Sequence, residues 1–226
     1  MSQLLTAAGM LPYVDACSDG DDLVRRVEHW LFDEVKRTRA SSVFVPAGRT
    51  PLPLYARWER TKPRELDGLR LCAVDDVVTG PGAGMFARFF ASALPSYAGA
   101  LAPVGDELPE IPGVALLGLG LNGHVAFHEP HVPARFSKGI VELARETCLE
   151  LALEPPVQGL SYGVGAFRRC QSVAIMVSNS RKRAVLHRLL AADPSMPARW
   201  LMDAFVNDPG RASRFRIFAE DTLLRR

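Results

Sequence analysis

Val114-Ala115-Leu116-Leu117 runs directly into Gly118-Leu119-Gly120-Leu121-Asn122-Gly123-His124-Val125-Ala126-Phe127-His128-Glu129-Pro130. An unbroken short apolar run is the pattern of a strand buried on both faces, and the glycines after it mark where the chain leaves the sheet. The same pattern, an apolar run and then a polar or glycine-bearing loop, recurs at 43–45, 69–74 and 173–177, with a last strand at 215–219. Helical spacing lies between these runs. Leu23, Val27, Trp30, Leu31 and Val35 give one apolar face over 21–37, with Ser18 or Asp19 placed to cap its start. Further helices are expected over 52–60, 85–94 and 183–191. Apolar strands alternating with helices predict an α/β fold: a doubly wound, mainly parallel sheet with helices on both faces. In such sheets ligands bind beyond the carboxyl ends of the strands. The loops that matter therefore follow Val45, Val74, Leu117 and Val177.

Composition agrees with an ordinary folded chain. Of 226 residues, 48% are apolar and 23% charged, so disorder is excluded as the main state. The length suits one large domain or two small ones, and we expect a single domain over 1–226. A net charge of +2 is too balanced to give a nucleic-acid or membrane footprint. No stretch approaches the roughly 18 apolar residues of a membrane span. Met1-Ser2-Gln3-Leu4-Leu5 lacks the features of a signal peptide. Cys17, Cys72, Cys148 and Cys170 form no CxxC pair and read as reduced thiols, which points to the cytoplasm.

Each strand-end loop carries chemistry. In Pro46-Ala47-Gly48-Arg49-Thr50-Pro51 a strand enters and a helix leaves, with Thr50 expected as N-cap and Pro51 as first helical residue. The amides at such a helix start favour an anion, Gly48 lets a ligand approach the backbone, and Arg49 adds positive charge. Asp75 and Asp76 follow an apolar strand; their side chains diverge, so one of them faces the cleft. Gly118, Gly120 and Gly123 match GxGxxG formally, but Pro130 and Pro133 leave no room for the helix that a dinucleotide site needs. His124, His128, Glu129 and His131 are not in HExxH order, so no metal site is expected; a catalytic role falls to His124, and His128 and His131 read as packed or solvated. Arg181, Lys182 and Arg183 stand at a helix start, where cations oppose the macrodipole unless an anion is near. Lys182 has no carboxylate beside it in the sequence.

Taken in order from about Val43 to Leu224, these segments resemble the glucosamine-6-phosphate deaminase and 6-phosphogluconolactonase superfamily. Pro46 to Pro51 resembles its PTGGTP phosphate loop, and Val74-Asp75-Asp76-Val77 the deaminase MDEY segment. Gly118 to Pro130 resembles GVGNDGHIAFNEP, and Ser161-Tyr162-Gly163-Val164-Gly165 the TVGVG stretch. Lys182 falls on the lysine of GxxKA. Glu129-Pro130 is deaminase-like, and Val77 stands where lactonases carry the arginine of DER. Four departures are plain. Arg49 replaces a glycine, Asn122 the aspartate expected to orient His124, and His128 an asparagine; Arg135 to Pro156 matches the family lid poorly, so the lid's phosphate-binding arginine has no counterpart that can be assigned.

The resemblance implies a Rossmann-like sheet and an amino-sugar 6-phosphate as substrate, isomerised from aldose to ketose with loss of ammonia and without metal or organic cofactor. It places Asp75, His124, Glu129 and Asn122 in catalysis. It assigns Gly48, Arg49, Thr50, Lys182, Gly120 and Gly123 to the substrate and its phosphate. No nucleic-acid or membrane partner is implied, and a homo-oligomer is compatible with the sequence. Lactone hydrolysis, with His124 activating water, is the rival on the same scaffold. A sugar-phosphate-binding protein without catalysis is the other, motivated by Arg49 and Asn122.

Overall fold

A computed structural model describes residues 11–107, 110 and 112–225. Met1 to Leu5, read above for targeting, lie outside the described residues. The chain runs β1 (Val14–Cys17), α1 (Gly20–Thr38), β2 (Ser42–Val45), α2 (Leu52–Thr61), β3 (Arg70–Ala73), β4 (Asp75–Val77), α3 (Met85–Ala93), β5 (Leu101–Ala102) and β6 (Val114–Gly118). It continues through β7 (Lys138–Glu142), α4 (Arg145–Glu150), β8 (Gln158–Tyr162), α5 (Val164–Phe167), β9 (Ser172–Val177), α6 (Arg183–Leu190), α7 (Pro197–Val206), β10 (Phe215–Glu220) and α8 (Asp221–Leu224).

Seven strands form one sheet in the order β1-β10-β9-β6-β2-β3-β5, and every pairing in it is parallel. The alternation of side chains along each strand explains why the runs are apolar throughout. Val43, Val45, Val114, Leu116, Ala174 and Met176 point to one face and pack with Leu23, Val27 and Leu31 of α1 and Leu54, Tyr55 and Trp58 of α2. Phe44, Ala115, Leu117, Val173, Ile175 and Ile217 point to the other, against Leu186 of α6, Leu201 and Phe205 of α7 and Leu223 of α8. Each fully buried Leu or Phe contributes about 1.5–3 kcal/mol, which is what holds both layers to the sheet. Asp19 caps α1 by accepting the Asp22 amide at 2.8 Å.

From β2 the chain winds outward through β3 and β5, then returns to place β6 on the other side of β2 and winds away through β9 and β10. The direction reverses between β2 and β6. That is the switch point where a doubly wound sheet opens a crevice at its carboxyl end.

A second sheet was not expected. β4, β8 and β7 pair antiparallel in that order, over a small cluster of Val77, Phe127, Leu143, Cys148 and Val157. The strand read as 69–74 therefore ends at Ala73, and the chain enters the second sheet with Asp75. Residues 135–156, which match the family lid poorly, supply β7 and α4. Thr50 is not the N-cap of α2 either. The cap position belongs to Pro51, without a side-chain hydrogen bond, and the Thr50 hydroxyl instead accepts from Ser178 Oγ at 3.3 Å. Among the described residues no helix is long and apolar enough to cross a membrane.

Candidate active site

The loops after β2, β3, β6 and β9 meet at the switch point. Thr50 and Ser178 tie the first to the last. Tyr55 is wholly buried and donates its hydroxyl to Pro46 O at 2.6 Å, which fixes the start of the first loop. Ser161, opposite Asp75 in the second sheet, accepts the Phe127 amide at 3.0 Å and so holds the third loop beside β4.

His124 is set by the glycines around it. A Cβ on Gly120 would lie 2.1 Å from the imidazole Nε2, so only glycine lets the ring fold back over the loop. Gly123 takes φ +93°, and a Cβ there would strike Met196. Both glycines thus act by shaping the loop. The imidazole Nδ1 faces Thr147 Oγ1 at 3.2 Å and Glu129 Oε2 at 3.5 Å. Oxygens on that side favour the proton on Nδ1 and leave Nε2 as the basic nitrogen.

Glu129 is fully buried. It accepts Asn122 Nδ2 at 2.7 Å and the Ala144 amide at 3.2 Å. Burial pushes its carboxyl up. The hydrogen bond and charge of His124, with hydrogen bonds from Thr147 and Asn122, outweigh that and hold it down at about 2. Glu129 stands against the His124 ring, and Asn122 holds Glu129 while its Oδ1 accepts the His124 amide at 3.1 Å.

The two aspartates divide. Asp76 accepts the Phe86 and Ala87 amides, both at 2.9 Å, and so closes the first turn of α3 from outside the helix. Asp75 is buried, and its carboxylate takes no hydrogen bond among the described residues. Burial, reinforced by the charge of Asp76, pushes its carboxyl well above the usual range.

His128 is structural, as expected. Its Nδ1 accepts the Val164 amide at 2.9 Å, its Nε2 reaches Val132 O at 3.2 Å, and burial lowers its pKa. His131 is exposed. No group of three or more His, Cys, Asp or Glu among the described residues is placed to hold a metal. Gly48 takes φ +110° with open space where a Cβ would stand, and Arg49 beside it is exposed, with no hydrogen bond or ion pair among the described residues. Lys182 departs from expectation: Glu150, distant in sequence, is 3.0 Å from its Nζ. Thr147 and Glu150 are site residues that the sequence reading missed. Both sit on α4, whose six residues carry no apolar stripe to announce a helix. An open groove of about 380 Å³ beside Asp15, Trp30 and Arg216 shares no residue with the strand-end loops.

No family model matches the chain. A glucosamine-6-phosphate deaminase of Bacillus cereus (strain G9842) is 24% identical over 197 residues, 75% of this chain and 74% of that protein. One of Staphylococcus haemolyticus (strain JCSC1435) is 30% identical over 103 residues, 41% of this chain and 43% of the relative. Among solved structures, a monomeric glucosamine-6-phosphate deaminase superposes with TM-score 0.71 at 16% identity, covering 93% of this chain and 98% of that one. The 6-phosphogluconolactonase of Trypanosoma brucei gives TM-score 0.64 at 15% identity, covering 92% and 95%. In sequence the chain is similar to glucosamine-6-phosphate deaminases, and in fold to both the deaminase and the 6-phosphogluconolactonase structures. The parallel sheet with helices on both faces is the Rossmann-like fold of these neighbours. The sequence relatives carry the deaminase name, and the structural neighbours include both deaminases and lactonases.

Proposed function

We propose that the chain deaminates an amino-sugar 6-phosphate of the glucosamine or galactosamine type, giving the ketose 6-phosphate and ammonia. One observation carries the reading. Two buried carboxyl groups, on the second and third of the neighbouring strand-end loops, are pushed in opposite directions, Asp75 up and Glu129 down. Such a split separates a group that exchanges protons from one that stays ionised.

His124, with Nε2 facing away from Thr147 and Glu129, takes the proton of the anomeric hydroxyl and delivers it to the ring oxygen as the C1–O5 bond breaks and the pyranose opens. Glu129 stabilises the imidazolium so formed. Asp75 takes the proton from C2, giving an enolamine, and returns it to C1. The ketimine left at C2 adds water and releases ammonia, so sugar phosphate plus water becomes ketose phosphate plus ammonia. Gly48, Arg49, Thr50 and Lys182 hold the phosphate, whose binding energy positions the reacting carbons.

Lactone hydrolysis would need His124 and a water but gives Asp75 no proton to move. The test is a panel of amino-sugar phosphates and 6-phosphogluconolactone, assayed for both ammonia and acid. Ammonia release supports deamination. Acid from the lactone, without ammonia from any amino sugar, overturns it.

A further inference from the structure

Three cations at the start of α6 call for an anion, and the protein supplies its own. Glu150 Oε1 is 3.0 Å from Lys182 Nζ, and Glu150 Oε2 accepts the Leu121 amide at 3.3 Å. The carboxylate thus bridges the third and fourth strand-end loops. It spans a cation and a backbone N–H, the donor pair that a phosphate takes. Glu150 is three residues from Thr147 and lies on the same face of α4. Thr147 reaches His124, so that face is turned to the catalytic loop. Thr147 and Cys148 are buried and anchor the helix, which keeps the carboxylate in place.

We propose that Glu150 is a specificity-determining residue: it fills the anion position on Lys182, and a substrate phosphate must displace it. The proposal rests on the amino-sugar-phosphate reading above and concerns how strongly that site distinguishes a phosphorylated sugar from a free one. A phosphate that replaces Glu150 exchanges one ion pair for another and leaves a carboxylate nearby. The gain from the phosphate is correspondingly small, and the remaining attraction comes from Arg49, which is exposed. The native site discriminates weakly between glucosamine 6-phosphate and glucosamine.

The experiment compares the ratio of kcat/KM for glucosamine 6-phosphate over glucosamine in the native chain, Glu150→Gln, Glu150→Ala and Glu150→Gln/Lys182→Ala. A rise of about tenfold in both single variants, lost again in the double variant, is expected, since each tenfold corresponds to the release of one modest interaction. A ratio that stays within about twofold of native overturns the proposal. So does a fall, which would make Glu150 a support that positions Lys182 for phosphate. Calorimetric titration with inorganic phosphate separates this from the function itself. If neither sugar releases ammonia, the deaminase reading fails, while tighter phosphate binding by Glu150→Gln still supports displacement and unchanged binding still rejects it.

Discussion

At the residue scale the division of labour between Asp75 and its neighbours sets the sharpest expectation. Asp75→Asn should lower ammonia release by about 10²–10⁴-fold, because an amide of the same shape cannot carry the C2 proton. Sugar-phosphate binding, followed by calorimetry, should survive, since the proposed phosphate ligands Gly48, Arg49, Thr50 and Lys182 lie on other loops. Turnover near native in this variant would remove Asp75 from the chemistry. Asn122→Asp tests how Glu129 braces His124. The new carboxylate would keep the bond from the His124 amide but lose the one to Glu129, and would set a second acid at the 2.7 Å now spanned by Asn122 Nδ2. Two such acids share a proton, so the acidic limb of the kcat/KM profile should move to higher pH. A pH profile identical to the native one would mean that Glu129 does not brace His124. Asp75, Asn122, His124 and Glu129 were singled out on the loops that follow apolar runs and by the resemblance, and the structure brings Asn122, His124 and Glu129 together. Thr147 and Glu150 were not legible: their partners stand 23 to 32 residues away, across contacts no local pattern encodes.

At the element scale, β2, β3, β6, β9 and β10 and the helices α1, α2, α3 and α6 were readable almost to the residue, whereas the edge strands β1 and β5 were not expected. The helix expected at 21–37 is Gly20–Thr38, and the strand expected at 173–177 is Ser172–Val177. Burial on both faces makes such runs continuous and so distinct. The antiparallel β4-β8-β7 sheet escaped because its strands are short, β7 is largely exposed, and their pairing joins distant segments. α7 is a different case. Pro197 at its start and Ala198, Leu201, Met202 and Phe205 at helical spacing form a signal that the sequence reading did not take up. Asp76 links the two sheets' neighbourhoods by holding the first amides of α3. Asp76→Ala should cost about 1–2 kcal/mol, the range for loss of a helix-start acceptor, while ammonia release per folded molecule persists. Thermal melting and an activity assay on the same sample check both halves. A selective loss of turnover at unchanged melting temperature would instead put Asp76 in the cleft.

For the whole molecule, the two buried carboxyl groups pull the stability curve in opposite directions. Glu129 goes from 4.5 unfolded to about 2 folded, so its contribution is complete above 4.5 and drains away as pH falls toward 2. The span corresponds to about 3 kcal/mol at 1.36 kcal/mol per unit. Asp75 runs the other way. Its folded pKa lies well above 3.8, so the folded state keeps the proton after the unfolded chain has lost it. It costs nothing below 3.8 and progressively destabilises as pH rises toward its folded value. Urea unfolding across a pH series reads both effects. Glu129→Gln should flatten the acid side between 4.5 and 2. Asp75→Asn should flatten the rise of the penalty above 3.8, leaving a variant that is more stable than the native chain at neutral pH and unable to release ammonia. A buried acid retained at a cost to stability is what a proton-transferring group requires. An Asp75→Asn chain no more stable than native at pH 7 would mean that its carboxyl is solvated or paired, and the case for it as the proton carrier would lose its physical basis.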